Sequence, residues 1–214
     1  MKISLPDPNY TGSERAKLNF RLALKLSFCF VALLWLIFGL DWLLGLQLKR
    51  FGIFPRHIDG LIGLPFAPLL HGSFAHLFSN SVPLLVLGTG ILYLYPAGAF
   101  RVIPAVYLGS GLGVWLFGRA SIHIGASGLV YGLATYIFVA GILRRDMRAI
   151  AASMLVYFLY GTLAWGVLPI KAGVSWETHL AAAIIGLLAA IAFRNLDAPP
   201  SKRYAWEDEE ENES

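Results

Sequence analysis

Long apolar segments alternate with short polar or glycine-rich segments along most of the chain. Several of the apolar segments have about 17 to 25 residues, which is the length that an α-helix needs to cross a bilayer. The pattern predicts six membrane-spanning helices, at about 21–45, 74–96, 102–118, 127–143, 149–169 and 178–193. We therefore expect an all-α polytopic membrane protein, built as one domain from about residue 21 to residue 194.

Three other segments flank or interrupt the predicted helices. Residues 1–20 are polar and basic, and we expect a cytoplasmic N-terminal lead, since they lack the apolar core of a cleavable signal peptide. The connection 46–72 is too polar to cross and is expected to lie partly buried at the membrane interface, with amphipathic segments. Residues 195–214 are rich in proline and acidic residues, which predicts a disordered acidic C-terminal tail.

The composition agrees with this class, because 57% of the residues are hydrophobic and only 14% are charged. The single cysteine, Cys29, lies inside an apolar segment, which excludes a disulfide framework and the ligand spacing of a zinc finger. Basic residues are scattered at the ends of the apolar segments, so the net charge of +4 does not indicate a nucleic acid partner. The expected surroundings are instead a lipid bilayer.

Six crossings would place both termini on one side of the membrane. The segments on that side carry most of the basic residues, namely Lys2, Arg15, Lys17, Arg21, Arg101, Arg144, Arg145, Arg148, Arg194, Lys202 and Arg203. The opposite loops carry Lys49, Arg50, Arg56, Arg119 and Lys171. Because basic loops stay in the cytoplasm, we expect both termini there, in a bacterial cytoplasmic membrane.

A polar, glycine-rich stretch, residues 121–128, precedes the fourth predicted helix. Irregular backbone survives in a bilayer only where protein or a water-filled cavity encloses it. A helix from Ser127 to the basic residues after Leu143 rises only about 25 Å, so Ser127 should begin below the outer surface. Gly125 and Gly128 would permit such an entry, and Tyr131 shares a helix face with Ser127.

The second, fourth and sixth predicted helices all begin on the non-cytoplasmic side, and each begins with polar side chains. His76 and Asn80 open the second helix, and His179 opens the sixth. Small residues at helical spacing favour close packing of the fourth and sixth helices, namely Gly128, Gly132, Ala182, Ala183 and Gly186. We therefore expect these polar groups to meet at similar depth.

Close packing of the two helices predicts a Ser127–His179 pair, in which the imidazole takes the proton of the hydroxyl group. Glu177 lies two residues before His179 and so should point elsewhere, and Asp146 is expected on the cytoplasmic side. The sequence thus predicts a dyad and not a triad. His76, Asn80 and the Ser127 N–H group could donate to the oxyanion of an acyl transfer.

Each feature also has a purely structural explanation, since Ser-Gly pairs and intramembrane histidines often serve helix packing and interhelical hydrogen bonding. His71 and His76 could suggest a metal site, but five residues on a helix would place them on different faces. The chain also lacks a His-Glu-x-x-His pattern, so no metal is predicted. His57 and His123 are expected at the membrane interface.

Together these residues resemble the rhomboid family of intramembrane serine proteases over about residues 22–194. The resemblance rests on Gly125-Ala126-Ser127-Gly128 continuing to Leu133, on His76-Leu77-Phe78-Ser79-Asn80, and on His179. It implies a rhomboid-like bundle of six helices, with Ser127 as nucleophile and His179 as base. It also implies His76, Asn80 and the Ser127 N–H at the oxyanion, and Tyr131 packed against the base. The implied reaction is cleavage in or near the transmembrane segment of single-span membrane proteins, without metal or other cofactor.

The chain departs from the family pattern at two places, and neither removes a chemical group. Ala182 stands where the family often has glycine, and Phe54-Pro55-Arg56 lies where a Trp-Arg pair is often found. Two other functions stay open. A rhomboid-like protein that binds transmembrane segments without cutting them would be expected to lack Ser127 or His179. A transporter or channel would be expected to have charged residues inside its helices or repeat symmetry.

Overall fold

The computed structural model describes residues 13–144, 147–170 and 173–197. The α-helices of this part of the chain are α1 (Glu14–Leu44), α2 (Gly63–Phe66), α3 (Phe74–Leu94), α4 (Pro96–Phe117), α5 (Ser127–Arg144), α6 (Met147–Tyr160) and α7 (Trp176–Ala192). Short 3-10 helices occupy Leu48–Phe51, Ile58–Ile62, Ala67–Leu69 and Gly161–Val167, and the last of these continues α6. The expected all-α class is therefore confirmed for the described residues.

Five helical segments in this part of the chain are long and apolar enough to cross a membrane, namely Glu14–Leu44, Phe74–Leu94, Pro96–Phe117, Ser127–Arg144 and Met147–Val167. Helix α7 is apolar but shorter. The protein is thus a multi-pass membrane protein, and length and composition alone support five crossings rather than the six expected from the sequence. The short α7 lies in the position of the sixth predicted helix.

Helices α1 and α4 begin well before the expected residues, and the local sequence explains both. Helix α1 begins at Glu14 because the Ser13 hydroxyl accepts a hydrogen bond from the Ala16 N–H and caps the helix. Helix α4 begins at Pro96, directly after the turn at Tyr95, because proline lacks an N–H and suits the first helical position. Residues 1–12, most of the predicted N-terminal lead, lie outside the described residues.

The contacts between helix ends fix the direction of each helix. The Phe20 ring, near the start of α1, meets the Tyr93 ring, near the end of α3, with centroids 5.5 Å apart. Further along α1, the Trp35 indole N–H donates to Ser81 Oγ, in the first half of α3. Helices α1 and α3 therefore run antiparallel.

The starts and ends of three further helices meet around Asp197, which follows α7. The Asp197 carboxylate accepts hydrogen bonds from the N–H groups of Ala97 (2.9 Å) and Gly98 (2.8 Å), at the start of α4. The Arg144 guanidinium, at the end of α5, donates to the Asp197 carbonyl oxygen. Asp197 is buried, so residues 195–197 differ from the disordered tail expected from residue 195. The rest of that tail lies outside the described residues.

We expect Asp197→Ala to lower the free energy of unfolding by roughly 1 to 2 kcal/mol, because two N–H groups at the start of α4 lose their acceptor. Asp197→Asn keeps one acceptor oxygen and should lose less. Thermal unfolding of the purified protein in detergent measures both, with the exposed Asp59→Ala as control. An Asp197→Ala variant as stable as the Asp59→Ala variant would contradict the capping role.

Helices α5 and α7 approach each other so closely that the residues at their contact must be glycine. The Gly132 carbonyl oxygen of α5 lies 2.3 Å from the position that a Cβ on Gly186 of α7 would occupy. A Cβ on Gly132 would in turn lie 2.3 Å from the Val106 side chain of α4. The small residues therefore bring α4, α5 and α7 together, and α5 is the most buried of the long helices.

The connection between α1 and α3 is folded against α4 and the loop before α5. The Ile53 N–H donates to the His123 carbonyl oxygen at 3.0 Å, and the His123 N–H donates back to Ile53 at 2.9 Å. The Arg56 guanidinium donates to the Gly118 carbonyl oxygen at 2.7 Å. The segment that departs from the family pattern thus anchors the end of α4.

Candidate active site

Ser127 is the first residue of α5 and is half-buried. The preceding Gly125 has a φ of 112°, and a Cβ there would lie 2.5 Å from the His76 ring. Only glycine fits both constraints, because other residues are strained at this φ and would meet the imidazole. The loop therefore passes directly under His76 and delivers Ser127 to a helix N-terminus, where the helix dipole favours negative charge.

His179 lies in the first turn of α7 and makes two hydrogen bonds through its ring. Its Nε2 atom is 2.9 Å from Ser127 Oγ, and its Nδ1 atom is 2.8 Å from the Gly166 carbonyl oxygen. A carbonyl oxygen can only accept, so Nδ1 carries the hydrogen and donates it. In that neutral tautomer Nε2 is an acceptor, and the serine O–H donates to it. The structure thus presents the hydroxyl to an unprotonated imidazole nitrogen.

Tyr131 holds the imidazole from one side. The two rings are stacked, with centroids 3.9 Å apart and an interplanar angle of 5°. Ala182, which stands where the family often has glycine, is fully buried one turn after His179. A small residue therefore lies beside the His179 imidazole despite the departure from the family pattern.

Gly166, which sequence reasoning missed, lies on the segment that continues α6. A Cβ at this position would lie 1.7 Å from the Tyr131 hydroxyl oxygen and 3.4 Å from His179 Nδ1. Any side chain would therefore push the Gly166 carbonyl away from the imidazole or displace Tyr131. No feature of the sequence around Gly166 distinguishes it from the other glycines, because its importance comes from the approach of a distant ring.

We expect Gly166→Ala to lower the rate of the reaction at Ser127 by about a hundredfold, since a displacement of about 1 Å in such a site can cost that much. Labelling of Ser127 by a fluorophosphonate probe measures this rate without a protein substrate. Gly161→Ala is the matched control on the same segment, because its Cβ would meet only the Tyr157 ring at 3.7 Å. Equal labelling rates in the two variants would contradict the role assigned to Gly166.

His76 and Asn80 lie beside the loop that enters α5, together with His71. The Asn80 side-chain nitrogen donates to the His76 carbonyl oxygen at 3.1 Å and lies 3.2 Å from His71 Nε2. The Ala126 N–H also points at His71 Nε2, at 3.5 Å. Both hydrogens of the Asn80 amide group are thus used in hydrogen bonds. To donate to an oxyanion, Asn80 must give up one of these two bonds.

His71 precedes α3 rather than lying on it, so the argument from helix faces was wrong. The His71 and His76 rings are 5.0 Å apart between centroids. Burial, with a smaller contribution from His76, lowers the pKa of His71 to about 4. His71 is therefore neutral near pH 7 and can accept hydrogen bonds from Asn80 and Ala126. In the part of the chain that the structure covers, no three histidine, cysteine or acidic residues are grouped as a metal site would need.

A domain model called Rhomboid domain matches residues 59–196, which include Ser127, His179, His76 and Asn80. The chain belongs to the rhomboid family. It is 40% identical to an uncharacterized protein of Mycobacterium tuberculosis over 82% of this chain and 76% of that protein. It is also 35% identical to an uncharacterized protein of Mycobacterium leprae, over 95% of this chain and 84% of the relative.

A more distant relative carries a functional name. The chain is 28% identical to rhomboid protease AarA of Providencia stuartii, over 60% of this chain and 54% of that protein. The rhomboid domain match begins after Phe54-Pro55-Arg56, so this departure from the family pattern lies outside the matched region. The residues that resemble the family's catalytic motifs all lie inside it.

Three further polar residues, His57, His123 and Glu177, lie on the segments around the site. His123 is buried within the protein and His57 is exposed, and their expected position at the membrane interface stays a prediction. Glu177 is also buried, and its carboxylate accepts a hydrogen bond from the Arg119 N–H at 3.2 Å. The Glu177 carboxylate is therefore engaged with Arg119, while the Gly166 carbonyl takes the third position beside the Ser127–His179 pair.

Proposed function

We propose that this protein is an intramembrane serine endopeptidase that cleaves transmembrane segments of single-span membrane proteins through a Ser127–His179 dyad. The observation that carries the proposal is the hydrogen-bonded chain from Ser127 Oγ through the imidazole to the Gly166 carbonyl oxygen. This chain fixes the tautomer that a general base needs. Membership of the rhomboid family and similarity to a named rhomboid protease support the same reaction.

In the proposed mechanism Ser127 Oγ attacks the carbonyl carbon of the scissile peptide bond, and His179 Nε2 takes the hydroxyl proton. The imidazolium that forms is held by the Gly166 carbonyl at Nδ1 and by the face of Tyr131. Collapse of the tetrahedral intermediate breaks the C–N bond, and His179 gives the proton to the leaving amine. A water molecule, activated by the same imidazole, then hydrolyses the acyl-enzyme.

The oxyanion of this intermediate would face the N-terminus of α5. The Ser127 N–H lies at that terminus, where the aligned peptide dipoles favour negative charge. The His76 ring borders the same loop at Gly125. Asn80 contributes when it exchanges its hydrogen bond with His71 for one with the oxyanion, because the oxyanion is the stronger acceptor.

We also propose that α7 is the sixth crossing and that both termini lie in the cytoplasm. The end of α7 meets the start of α4 and the end of α5 around Asp197, which supports an alternating arrangement of helices. Helix α7 has 17 residues and so spans about 25 Å, and it can begin below the outer surface because α4 and α5 enclose its start. The distribution of basic residues supports cytoplasmic termini, and the bacterial relatives support a bacterial cytoplasmic membrane.

Substrate entry is proposed to involve movement of α6 and of the loop before His179. Helix α6 with its continuation is the least buried of the long helices. Moving it away from the other helices therefore breaks fewer packing contacts than moving any other long helix. A disulfide cross-link between α6 and α3 should therefore slow cleavage, and reduction should restore it. Unchanged cleavage in the cross-linked protein would contradict this route.

The proposal is tested by incubating the purified protein in liposomes with a panel of single-span membrane proteins. We expect at least one panel member to be cut in or near its transmembrane segment, in the presence of a metal chelator, and a fluorophosphonate probe to label the enzyme. The Ser127→Ala variant is the control. Stable complexes with uncut single-span proteins, without labelling by the probe, would instead identify a protein that binds transmembrane segments.

A further inference from the structure

A group of polar side chains joins the two segments that lead to Ser127 and His179. One segment is the loop 118–126, directly before Ser127. The other is residues 174–178, directly before His179. We call the group the loop–helix network, and its side chains are Arg119, His123, Ser175, Glu177 and Thr178. Neither Ser127 nor His179 belongs to it.

The first link of the network is made by Arg119 and Glu177. The Arg119 N–H donates to the Glu177 carboxylate at 3.2 Å, and the Arg119 guanidinium lies 3.7 Å from the same oxygen. The guanidinium also donates to the Val174 carbonyl oxygen. Glu177 is only 8% exposed, and a carboxylate is costly to bury unless it is paired. The pair with Arg119 thus ties the first turn of α7 to the loop.

The second link runs through the buried His123. Its Nε2 atom lies 3.1 Å from the Arg119 carbonyl oxygen and therefore carries the hydrogen that is donated there. Its Nδ1 atom is then an acceptor, and the Ser175 hydroxyl donates to it. The Thr178 hydroxyl lies 2.6 Å from Ser175 Oγ and donates to it in turn. The donor and the acceptor of each hydrogen bond in this series are therefore defined.

Ser175 occupies the position before α7 but does not cap that helix. Its side chain makes no hydrogen bond to the helix N–H groups and is turned to His123 instead. Serine at this position normally accepts from such an N–H group, which contributes about 1 kcal/mol. The chain thus forgoes a local interaction at α7 in favour of a link to the loop before Ser127.

The loop before Ser127 is also held on its other side. Paired hydrogen bonds between His123 and Ile53 hold the loop to the first connection. Before α7, Gly173 has a φ of 82°, and a Cβ there would meet no atom within 4 Å. Packing on α4 and α5 positions α7 as a whole, and the loop–helix network adds the hydrogen bonds and the ion pair that tie its first turn to the loop.

We propose that the loop–helix network is a positioning element that sets the separation between Ser127 Oγ and His179 Nε2, with Ser175 and Glu177 as positioning residues. The inference rests on the proposed function, because it concerns the reactivity of the same dyad. Loss of one link lets the first turn of α7 shift, so the serine–imidazole hydrogen bond lengthens. The rate of acylation should therefore fall, while the binding of a substrate helix should change little.

The test compares variants of Ser175 and Ser121, the two serines beside His123, in the full-length protein in liposomes. We expect Ser175→Ala to lower kcat and the rate of fluorophosphonate labelling by about tenfold or more, with KM nearly unchanged. Ser175→Thr keeps the hydroxyl and should restore most of both rates. Ser121→Ala is the matched control, because Ser121 lies 3.2 Å from His123 Nε2 but belongs to the loop itself and links nothing to α7.

A parallel pair of variants tests the other link. Glu177→Gln keeps the size of the side chain but removes its charge. It should lower the labelling rate about tenfold, because the first turn of α7 would again shift relative to Ser127. Glu177→Asp keeps the charge and should recover part of the rate. Thermal unfolding of each variant separates a change in reactivity from a loss of fold, since a purely structural role would lower stability without slowing the labelling of folded protein.

The outcomes separate the two proposals. If wild-type protein neither cleaves nor is labelled, the proposed function fails, and the positioning role fails with it. If wild-type protein is active and Ser175→Ala reacts as fast as Ser121→Ala, the positioning role alone is overturned. A rise in KM without a change in the labelling rate would also overturn it, because it would place Ser175 in substrate binding.

Discussion

Replacing Ser127 by alanine is expected to abolish cleavage of a single-span substrate, with kcat at least about ten-thousandfold lower. The variant removes the Ser127 hydroxyl oxygen, which lies 2.9 Å from His179 Nε2 and is the hydrogen-bond partner of that atom in the described part of the chain. Removal of a nucleophile leaves only binding and oxyanion stabilisation, which contribute far less to the rate. The same variant should not react with a fluorophosphonate probe. Fragment formation on gels and probe labelling measure the two effects.

The matched control for this prediction is Ser79→Ala. Ser79 is exposed on α3, one residue before Asn80, and its hydroxyl donates only to the His76 carbonyl oxygen of its own helix. The control should keep most of the wild-type activity. Continued cleavage by the Ser127→Ala protein at a rate near that of Ser79→Ala would refute the dyad.

Replacing His179 by alanine is expected to lower kcat by a similar factor, because the serine hydroxyl loses the group that takes its proton. The two residues act as one unit, so the double variant Ser127→Ala/His179→Ala should be no slower than either single variant. Ser127 should also lose its reactivity toward the fluorophosphonate probe, although the hydroxyl itself remains. Rates of cleavage in liposomes and of probe labelling check each expectation.

His57→Ala is the control for this second prediction. His57 is exposed, and its ring packs only on Phe54, with centroids 4.7 Å apart, among the ring contacts of the described residues. It should retain wild-type labelling. Additive losses in the double variant, or a His179→Ala protein that the probe still labels at the wild-type rate, would show that His179 is not the base.

The helices and their small-residue contacts could be predicted from the sequence because they depend on local patterns. Apolar length predicts a membrane-spanning helix, and glycine at helical spacing predicts close approach, as Gly132 and Gly186 show. The meeting of Ser127 and His179 followed from the same reasoning, since two helices that approach closely bring their first turns together. Their catalytic roles stay a prediction until the variants are measured.

Other parts of the site could not be predicted because their partners are distant and carry no pattern. The Gly166 carbonyl oxygen is a backbone atom, which every residue has, and only the fold brings it to His179. The prediction about a metal site treated His71 as helical although the predicted helix began at residue 74, where the Ser73 cap does start α3 by accepting from the His76 N–H. The partners of His123 and Glu177 lie on another segment more than fifty residues away.

The carbonyl that orients His179 has an electrostatic consequence. In a soluble triad a carboxylate holds this position, but removing a carboxylate from water costs several kcal/mol even after the surroundings relax. Near the hydrocarbon region that penalty would fall on the folded enzyme at all times, whether or not substrate is present. The Gly166 oxygen orients the imidazole as a neutral dipole, so the His179 ring needs no carboxylate at Nδ1, and the nearby buried Glu177 is paired with Arg119 instead. In the proposed mechanism the imidazolium therefore forms without a carboxylate at Nδ1, and a neutral dipole steadies it less strongly than an anion would.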